Sequence, residues 1–255
     1  MHRLTASTAI IALTLTAGLF SPAIAAEEVD LELVLAADGS GSIDDEELRL
    51  QREGYARALA HPKVLSAIGS GFLGKIAIAY VEWGGPDSQH TIVDWTVVDG
   101  LESAAAFGAK LVAAPRAAVS YNSISNAIVY SQNLIESNDY AGLRRIIDVS
   151  ADAGNLGGVP LAFAREQALA AGITINGLAI SRPGSTRPFR GITLEAHFAQ
   201  DVVGGPGAFV VTVDETLSFA DAVIKKLVLE IASKPHTPPQ LGELPVVPLD
   251  QPPAR

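Results

Sequence analysis

Short apolar runs alternate with amphipathic stretches along most of the chain, and this alternation predicts an α/β fold. Residues 31–37 form an apolar run typical of a central strand covered on both faces. Residues 44–60 follow with acids in the first turn, which favours a helix. The other predicted strands are 75–83, 91–98, 143–150, 173–180 and 208–213, and the other predicted helices are 64–68, 101–114, 125–137, 161–171, 194–201 and 217–233.

Strands separated by helices imply a doubly wound, mostly parallel sheet with helices on both faces, as in Rossmann-like folds. The strands at 75–83 and 91–98 are joined only by the turn at 84–87, which is short enough for a hairpin. We therefore predict a six-stranded sheet in which one edge strand is antiparallel. One domain, residues 26–233, would contain this sheet.

Both ends of the chain have a different composition. Residues 1–25 combine a weakly basic start, a short apolar core and the small-residue sequence Ala23-Ile24-Ala25, which together predict a cleaved signal peptide. The apolar core is too short to span a bilayer, and we expect no membrane span in the mature chain. Residues 234–255 are rich in proline and predict an extended tail. The expected location is the periplasm or the exterior.

Charge and cysteine content narrow the class of protein. The chain carries a net charge of −10 at pH 7, which argues against nucleic acid and anionic membrane as partners. It contains no cysteine, so an exported form cannot rely on disulfides. Packing, together with a bound cation, would then hold the fold.

The turn after the first long strand carries the strongest chemical signal. Asp38, Ser40 and Ser42 alternate with glycines in the sequence Asp-Gly-Ser-Gly-Ser. A carboxylate and two hydroxyls on one tight turn can surround a small cation with hard oxygen ligands. Asp152 closes the predicted strand at 143–150 and would lie at the same edge of the sheet. The pattern predicts a divalent-cation site.

The Asp-x-Ser-x-Ser turn and the strand ending at Asp152 resemble the metal-ion-dependent adhesion site of von Willebrand factor type A domains. The segments 81–83, 94–96, 145–150 and 204–209 also resemble an uncharacterised family of exported bacterial type A domain proteins, a domain of unknown function. The resemblance covers about residues 29–233. It implies a protein-binding module rather than an enzyme.

The resemblance also implies a ligand set and a partner chemistry. Asp38, Ser40, Ser42 and Asp152 would hold Mg²⁺ as the first choice, with Ca²⁺ or Mn²⁺ also compatible with oxygen ligands. Such a cation would take an acidic side chain of a partner protein as its last ligand. The family usually has a threonine where this chain has Asn122, and Ser123 follows it. Either Asn122 or Ser123 would complete the set.

Two other functions stay open at this point. The departure at Asn122 raises the alternative of a structural or interaction scaffold whose metal site is vestigial. A more remote alternative is a serine hydrolase with Ser40 as nucleophile, although the Gly-x-Ser-x-Gly turn of hydrolases is not present around Ser40. Dinucleotide binding is disfavoured because Asp44 stands where the third glycine of that motif would be.

One further acid is predicted to be structural. Asp148 lies inside the strand at 143–150, where a buried carboxylate needs a partner. Arg144 and Arg145 are the expected partners, and a supporting role beneath the cation site is the alternative.

Overall fold

The computed structural model describes residues 25–181, 191–213 and 218–232. The predicted tail and all but the last residue of the predicted signal peptide lie outside these ranges. The strands are β1 (Glu27–Val29), β2 (Glu32–Asp38), β3 (Ile76–Trp83), β4 (Gln89–Val98), β5 (Tyr140–Gly142), β6 (Arg145–Ala151), β7 (Thr174–Ile180) and β8 (Val210–Val213).

Helices fill the connections between these strands. They are α1 (Asp45–Leu59), α2 (Pro62–Gly69), α3 (Leu101–Ala113), α4 (Ile124–Glu136), α5 (Leu161–Ala170), α6 (Leu194–His197), a π-helical turn (Phe198–Val202) and α7 (Phe219–Ala232). Helix α1 begins with a capping box, in which Asp44 accepts from the amide of Glu47 and the Glu47 carboxylate accepts from the amide of Asp44. The acidic start noted in the sequence therefore fixes where α1 begins.

A six-stranded sheet in the order β4–β3–β2–β6–β7–β8 forms the centre of the domain. β3 and β4 pair antiparallel, and the other neighbouring strands pair parallel. This confirms the predicted six-stranded, mostly parallel sheet with one antiparallel edge strand.

Two apolar layers cover the two faces of the sheet. Along β2, Leu33 and Leu35 pack with α1, α2, α3 and α7, whereas Val34 and Ala36 pack on the other face with α4 and α5. Successive side chains of a strand point to opposite faces, which is why this strand is apolar at nearly every position. The predicted placement of helices on both faces is confirmed.

Two details differ from the prediction. β1 and β5 form a separate parallel two-stranded ladder that was not predicted, because three-residue strands are too short to show an alternating pattern. The helix predicted at 194–201 is a four-residue α-helix continued by the π-helical turn, closed by a hydrogen bond from the amide of Val203 to the carbonyl of Phe198.

Strand order reverses at β2, and this reversal positions the site. The chain leaves β2 through α1 and α2 to β3 on one side, and returns later through α4 to β6 on the other side. In open α/β sheets, ligands bind beyond the carboxyl ends of the strands at such a point. The carboxyl ends of β2 and β6 carry Asp38 and, one residue beyond β6, Asp152.

The helices of the described ranges are all too short or too polar to cross a lipid bilayer.

Candidate metal site

The turn that leaves β2 is held by hydrogen bonds from its glycines. The amide of Gly39 donates to the carbonyl of Trp83 at 2.9 Å, and the amide of Gly41 donates to the carbonyl of Ser120 at 2.7 Å. Ser120 has a positive φ of 74°, an unfavourable backbone conformation for a residue with a side chain. The turn is thus fastened on two sides, to β3 and to the loop before α4.

Arg116 fastens the same turn from a third side. Its guanidinium donates to the main-chain carbonyls of Gly39, Ser40 and Ile43 at 3.2, 3.0 and 2.6 Å, and to the carboxylate of Asp45 at 2.8 Å. The planar donor fork of arginine suits such multiple bonding. The sequence offered no local signal for this role, because Arg116 is more than seventy positions from the carbonyls that it binds.

A buried ion pair supports the loop that carries Arg116. Arg52 on α1 pairs with Glu82 on β3 at 2.7 and 2.9 Å, and both side chains are almost completely buried. The same guanidinium donates to the carbonyls of Ala114 and Pro115. Arg52 therefore ties α1, β3 and the loop before Arg116 together.

Asp38 is a fully buried carboxylate. Its Oδ1 accepts from the amide of Ser40 at 2.8 Å, and its Oδ2 accepts from the side-chain amide of Asn122 at 2.6 Å. Burial raises the pKa of Asp38 to about 7, opposed by the hydrogen bonds from Ser40 and reinforced by the nearby charge of Asp152. Both donors to this carboxylate are neutral, so they compensate only part of the cost of burying its charge.

The two hydroxyls connect Asp38 to Asp152. Ser40 Oγ and Ser42 Oγ are 3.1 Å apart, and Ser42 Oγ donates to Asp152 Oδ1 at 3.2 Å. The distance from Asp152 Oδ1 to the Ser40 hydroxyl therefore cannot exceed the sum of these two lengths. Ser40 is fully buried, whereas Ser42 is exposed and Asp152 half-buried. The cluster runs from the interior to the surface.

The two predicted alternatives for the last ligand lie in different surroundings. Asn122 is 4% exposed and reaches the cluster with its amide nitrogen, which donates to Asp38. Ser123 caps α4, where its Oγ accepts from the amide of Asn126 and lies 3.4 Å from the carbonyl of Gly157. In the structure, Asn122 contacts Asp38, whereas the Ser123 hydroxyl bonds to the start of α4.

The loop after Asp152 is anchored by residues that the sequence did not single out. Asn155 Oδ1 accepts from the amide of Ser125 at 2.9 Å, and the amide of Leu156 donates to the carbonyl of Asn122 at 2.6 Å. These bonds join the loop of Asp152 to the start of α4. A single asparagine in a glycine-rich loop gives no pattern from which this role could be inferred.

The donor set is suited to a hard cation. Asp38 and Asp152 supply carboxylates, Ser40 and Ser42 supply hydroxyls, and Asn122 supplies an amide, which are all groups that Mg²⁺ and Ca²⁺ accept. Throughout residues 25–181, 191–213 and 218–232, no three side chains of His, Cys, Asp or Glu converge as a metal cluster. A cation here would thus depend on neutral oxygens and water beside two carboxylates.

Solved structures identify the fold of this chain. A von Willebrand factor type A protein from Catenulispora acidiphila matches with a TM-score of 0.52 at 12% identity, over 80% of this chain and 42% of that chain. The pilus adhesin SpaC from Lactobacillus rhamnosus GG matches with a TM-score of 0.55 at 13% identity, over 80% and 30%. The chain has the type A fold.

The family is established by sequence. Residues 28–235 match the model of a family described as a protein of unknown function, DUF1194, and the chain belongs to that family. No curated protein matches the sequence significantly. Both resemblances drawn from the sequence, to type A domains and to a family of unknown function, are thereby confirmed.

A third solved structure of the same fold has a bound metal. Proximal thread matrix protein 1 from the mussel byssus, with a zinc-occupied MIDAS motif (metal-ion-dependent adhesion site), has a TM-score of 0.54 at 10% identity, over 81% of this chain and 46% of that chain. This chain spans less than half of the length of each of these three solved chains.

Proposed function

We propose that this protein is an exported protein-binding module that recognises its partner through a bound divalent cation. Asp38, Ser40, Ser42 and Asp152 would hold the cation, and Asn122 would complete the set. Mg²⁺ is the expected ion, because it is bound by carboxylates, hydroxyls and retained water. The partner would offer an acidic side chain as the final ligand.

The observation that carries this proposal is the convergence of two carboxylates and two hydroxyls from separate strands. Asp38 and Asp152 are close enough for the charge of Asp152 to raise the pKa of Asp38. Two acids held together at a buried site repel each other, and a cation between them would remove that repulsion. Two carboxylates neutralise most of the charge of a divalent ion. The open side of the ion still attracts an anionic ligand.

Asn122 can serve the cation after a small rearrangement. Its amide nitrogen now donates to Asp38, and a half turn about the last side-chain torsion would present its oxygen instead. The carboxylate of Asp38 would lose that donor and gain the charge of the ion. Ser123 would need to give up its bond to the amide of Asn126 at the start of α4, which favours Asn122 as the ligand.

The surface around the site favours a protein partner. Val119, Tyr121 and Leu156 are 60%, 63% and 46% exposed. The loops that carry them hydrogen-bond directly to the β2 turn and to each other. Clustered exposed apolar side chains mark protein interaction sites, and tyrosine is among the residue types that contribute most to binding at interfaces. The predicted leader, together with the pilus-adhesin role of SpaC, supports an exported binding protein.

Thermal unfolding with and without cation tests the metal site. At about 100 times its dissociation constant, Mg²⁺ should stabilise the fold by about 2.7 kcal/mol. For a domain of this size, that corresponds to a rise in Tm of about 5–10 °C over a sample with chelator. The Asp38→Ala variant should lose the shift. The matched control is Asp94→Ala, which removes an exposed acid from the edge strand β4 and should keep it.

The same measurement separates the proposal from its main alternative. If millimolar Mg²⁺, Ca²⁺ and Mn²⁺ all leave Tm unchanged, the site is vestigial and the protein is an interaction scaffold. A hydrolase would instead show turnover of an ester or peptide panel that Ser40→Ala abolishes. The hydroxyl of Ser40 contacts Ser42 rather than a histidine, so we expect no turnover.

Partner binding is tested by capture from periplasmic extract. The wild-type protein should retain a partner in Mg²⁺ and release it on addition of chelator, and Asp38→Ala should retain none. Retention that is the same in both conditions would contradict a metal-dependent contact. The partner would then bind at the sheet edge or at the proline-rich tail.

A further inference from the structure

A second group of charged residues lies buried between α7 and the sheet, and its member on β6 stands four residues before Asp152. Lys226 of α7 contacts the carboxylate of Asp148 on β6 and donates to Glu230 Oε1 at 2.6 Å. These three side chains are at most 1% exposed. Asn176 of β7 donates to Glu230 Oε1 at 3.1 Å. We call Lys226, Asp148 and Glu230 the buried triad.

The expected partners of Asp148 are engaged elsewhere. Arg144 donates to the main-chain carbonyls of Glu230 and Ile231, and Arg145 donates to the carbonyl of Ala171. The prediction that either arginine would pair with Asp148 is therefore wrong. The lysine that takes their place comes from α7, distant in sequence, which no local pattern could indicate.

The triad contains one more acid than base in an environment that disfavours charge. Burial raises the pKa of Asp148, against the opposing effect of Lys226. Burial, with the charge of Asp148, raises the pKa of Glu230 to about 7. Burial lowers the pKa of Lys226, but the two carboxylates raise it by more, so the net shift of this pKa is upward. A proton held by Glu230 leaves the triad neutral overall.

Hydrogen bonding leaves part of the triad unsatisfied. Within the described residues, Glu230 Oε2 makes no hydrogen bond. Asp148 Oδ1 lies directly against Lys226 Nζ, so the amine and the carboxyl group are in contact. The ring of Phe209 lies 5.8 Å from Nζ and adds an apolar wall. Buried ions with unfilled hydrogen-bonding capacity carry a large desolvation cost.

We propose that Lys226 and Asp148 join in an intramolecular amide bond, with Glu230 as the acid–base group. The ammonium of Lys226 passes a proton to the Asp148 carboxylate, which gives a neutral amine and a carboxylic acid. The amine nitrogen attacks Cγ of Asp148 and forms the C–N bond. Glu230 protonates the departing hydroxyl and receives the proton that the nitrogen loses, so the C–O bond breaks and one water leaves.

The surroundings favour this condensation. It replaces an ammonium and a carboxylate, both buried, by a neutral amide, and this removes the cost of burying them as ions. Contact between the reacting groups supplies the proximity that such a step needs. A cavity of about 290 Å³, lined by Thr174, Phe209 and Glu230 among others, lies next to the triad and offers a route for the released water.

A covalent link between α7 and β6 would perform the task of a disulfide. The chain has no cysteine, so it has no other side-chain crosslink of that kind. The linked residues lie far apart in sequence, and such a bond closes a long loop in the unfolded state. Loops of this kind give the largest entropic stabilisation in the simple chain model.

Mass spectrometry of the full chain decides the proposal. The N-terminus is first determined on the same sample, so that the mass expected from the sequence is known. The denatured wild-type protein should then be lighter than that mass by one water. A tryptic digest should contain a branched peptide that joins residues 146–165 to the segment that begins at Lys226. A mass equal to the sequence, with no branched peptide, overturns the proposal. A loss of one ammonia would assign the bond to Asn176 and would overturn the role of Asp148.

Matched variants assign the roles within the triad. Lys226→Arg should restore the full mass, whereas Lys225→Arg, one position earlier on the exposed side of α7, should keep the loss of water. Glu230→Gln preserves the shape of the side chain and should give an unlinked chain. If Glu230→Gln still forms the bond, the acid–base role is wrong. The wild-type mass remains decisive even where a variant does not fold.

Discussion

The side-chain amide of Asn122 donates a hydrogen bond of 2.6 Å to the carboxylate of Asp38, across two loops that are far apart in the sequence. The contact joins the β2 turn to the loop before α4 and closes one side of the proposed cation site. The neighbouring residue, Ser123, faces the start of α4 instead. The two candidates for the last ligand can therefore be separated by experiment.

Substitution of Asn122 should weaken cation binding, and it also removes a hydrogen bond from the buried carboxylate of Asp38. We expect Asn122→Ala to lower Mg²⁺ affinity by about 10-fold, since an inner ligand is lost. Ser123→Ala should instead lower the free energy of unfolding by about 1 kcal/mol, as loss of an N-cap does, with little change in affinity. Isothermal titration with Mg²⁺ and denaturant unfolding measure the two effects. The reverse pattern would make Ser123 the ligand.

Cation binding should depend on pH because Asp38 must be ionised to bind. Its pKa in the fold is about 7 against an ordinary value of 3.8, so the folded state holds a proton that the unfolded state has lost between these values. Without cation, the raised pKa of Asp38 favours folding at low pH, and this contribution to stability is lost as the pH rises from 4 through 7.

The cation reverses that dependence. Its apparent affinity should be roughly 30-fold weaker at pH 5.5 than at pH 8.5, because protons compete for Asp38. At a concentration of about 100 times the dissociation constant at pH 8.5, the stabilisation should fall from about 2.7 to about 1 kcal/mol. Melting curves with Mg²⁺ and with chelator at both pH values check this. An equal shift at both values would show that Asp38 does not bind the ion.

Removal of Arg116 should loosen the turn that presents Ser40. Its guanidinium bonds to three main-chain carbonyls of that turn, and we expect Arg116→Ala to cost about 1–3 kcal/mol of unfolding free energy and about 10-fold in Mg²⁺ affinity. Arg49→Ala is the control, because it removes only two surface ion pairs on α1 and should cost much less than Arg116→Ala. Wild-type affinity in Arg116→Ala would contradict this role.

Tyr121 should matter to the partner and not to the ion. We expect Tyr121→Ala to lower retention of the partner at least about 10-fold, as loss of an interface aromatic does, while the Mg²⁺ shift in Tm stays unchanged. Phe72→Ala provides the comparison, because Phe72 is an aromatic side chain even more exposed than Tyr121, at 89% against 63%, and lies on the loop before β3 at the opposite end of the sheet. Equal retention by wild type and Tyr121→Ala would mean that the partner binds another surface.

The main sheet followed from the sequence because its strands are long enough to show a pattern. β2 and β6 are buried on both faces and therefore mostly apolar, and the acids at 38 and 152 stand at or directly after their ends. The short strands β1 and β5 were missed for lack of a pattern. Contacts between distant segments determine the roles of Arg116, Asn155 and Lys226. No spacing in the sequence encodes such contacts.

The gradient of exposure from Asp38 to Ser42 has a consequence for what can dock. The inner half of the cluster is sealed by the protein, and only the outer half faces solvent. In the proposed mode of binding, a partner's carboxylate would therefore approach from the solvent side and protrude beyond its own surroundings. A glutamate on the tip of a projecting loop meets that requirement, whereas an acid lying flush with a flat face does not.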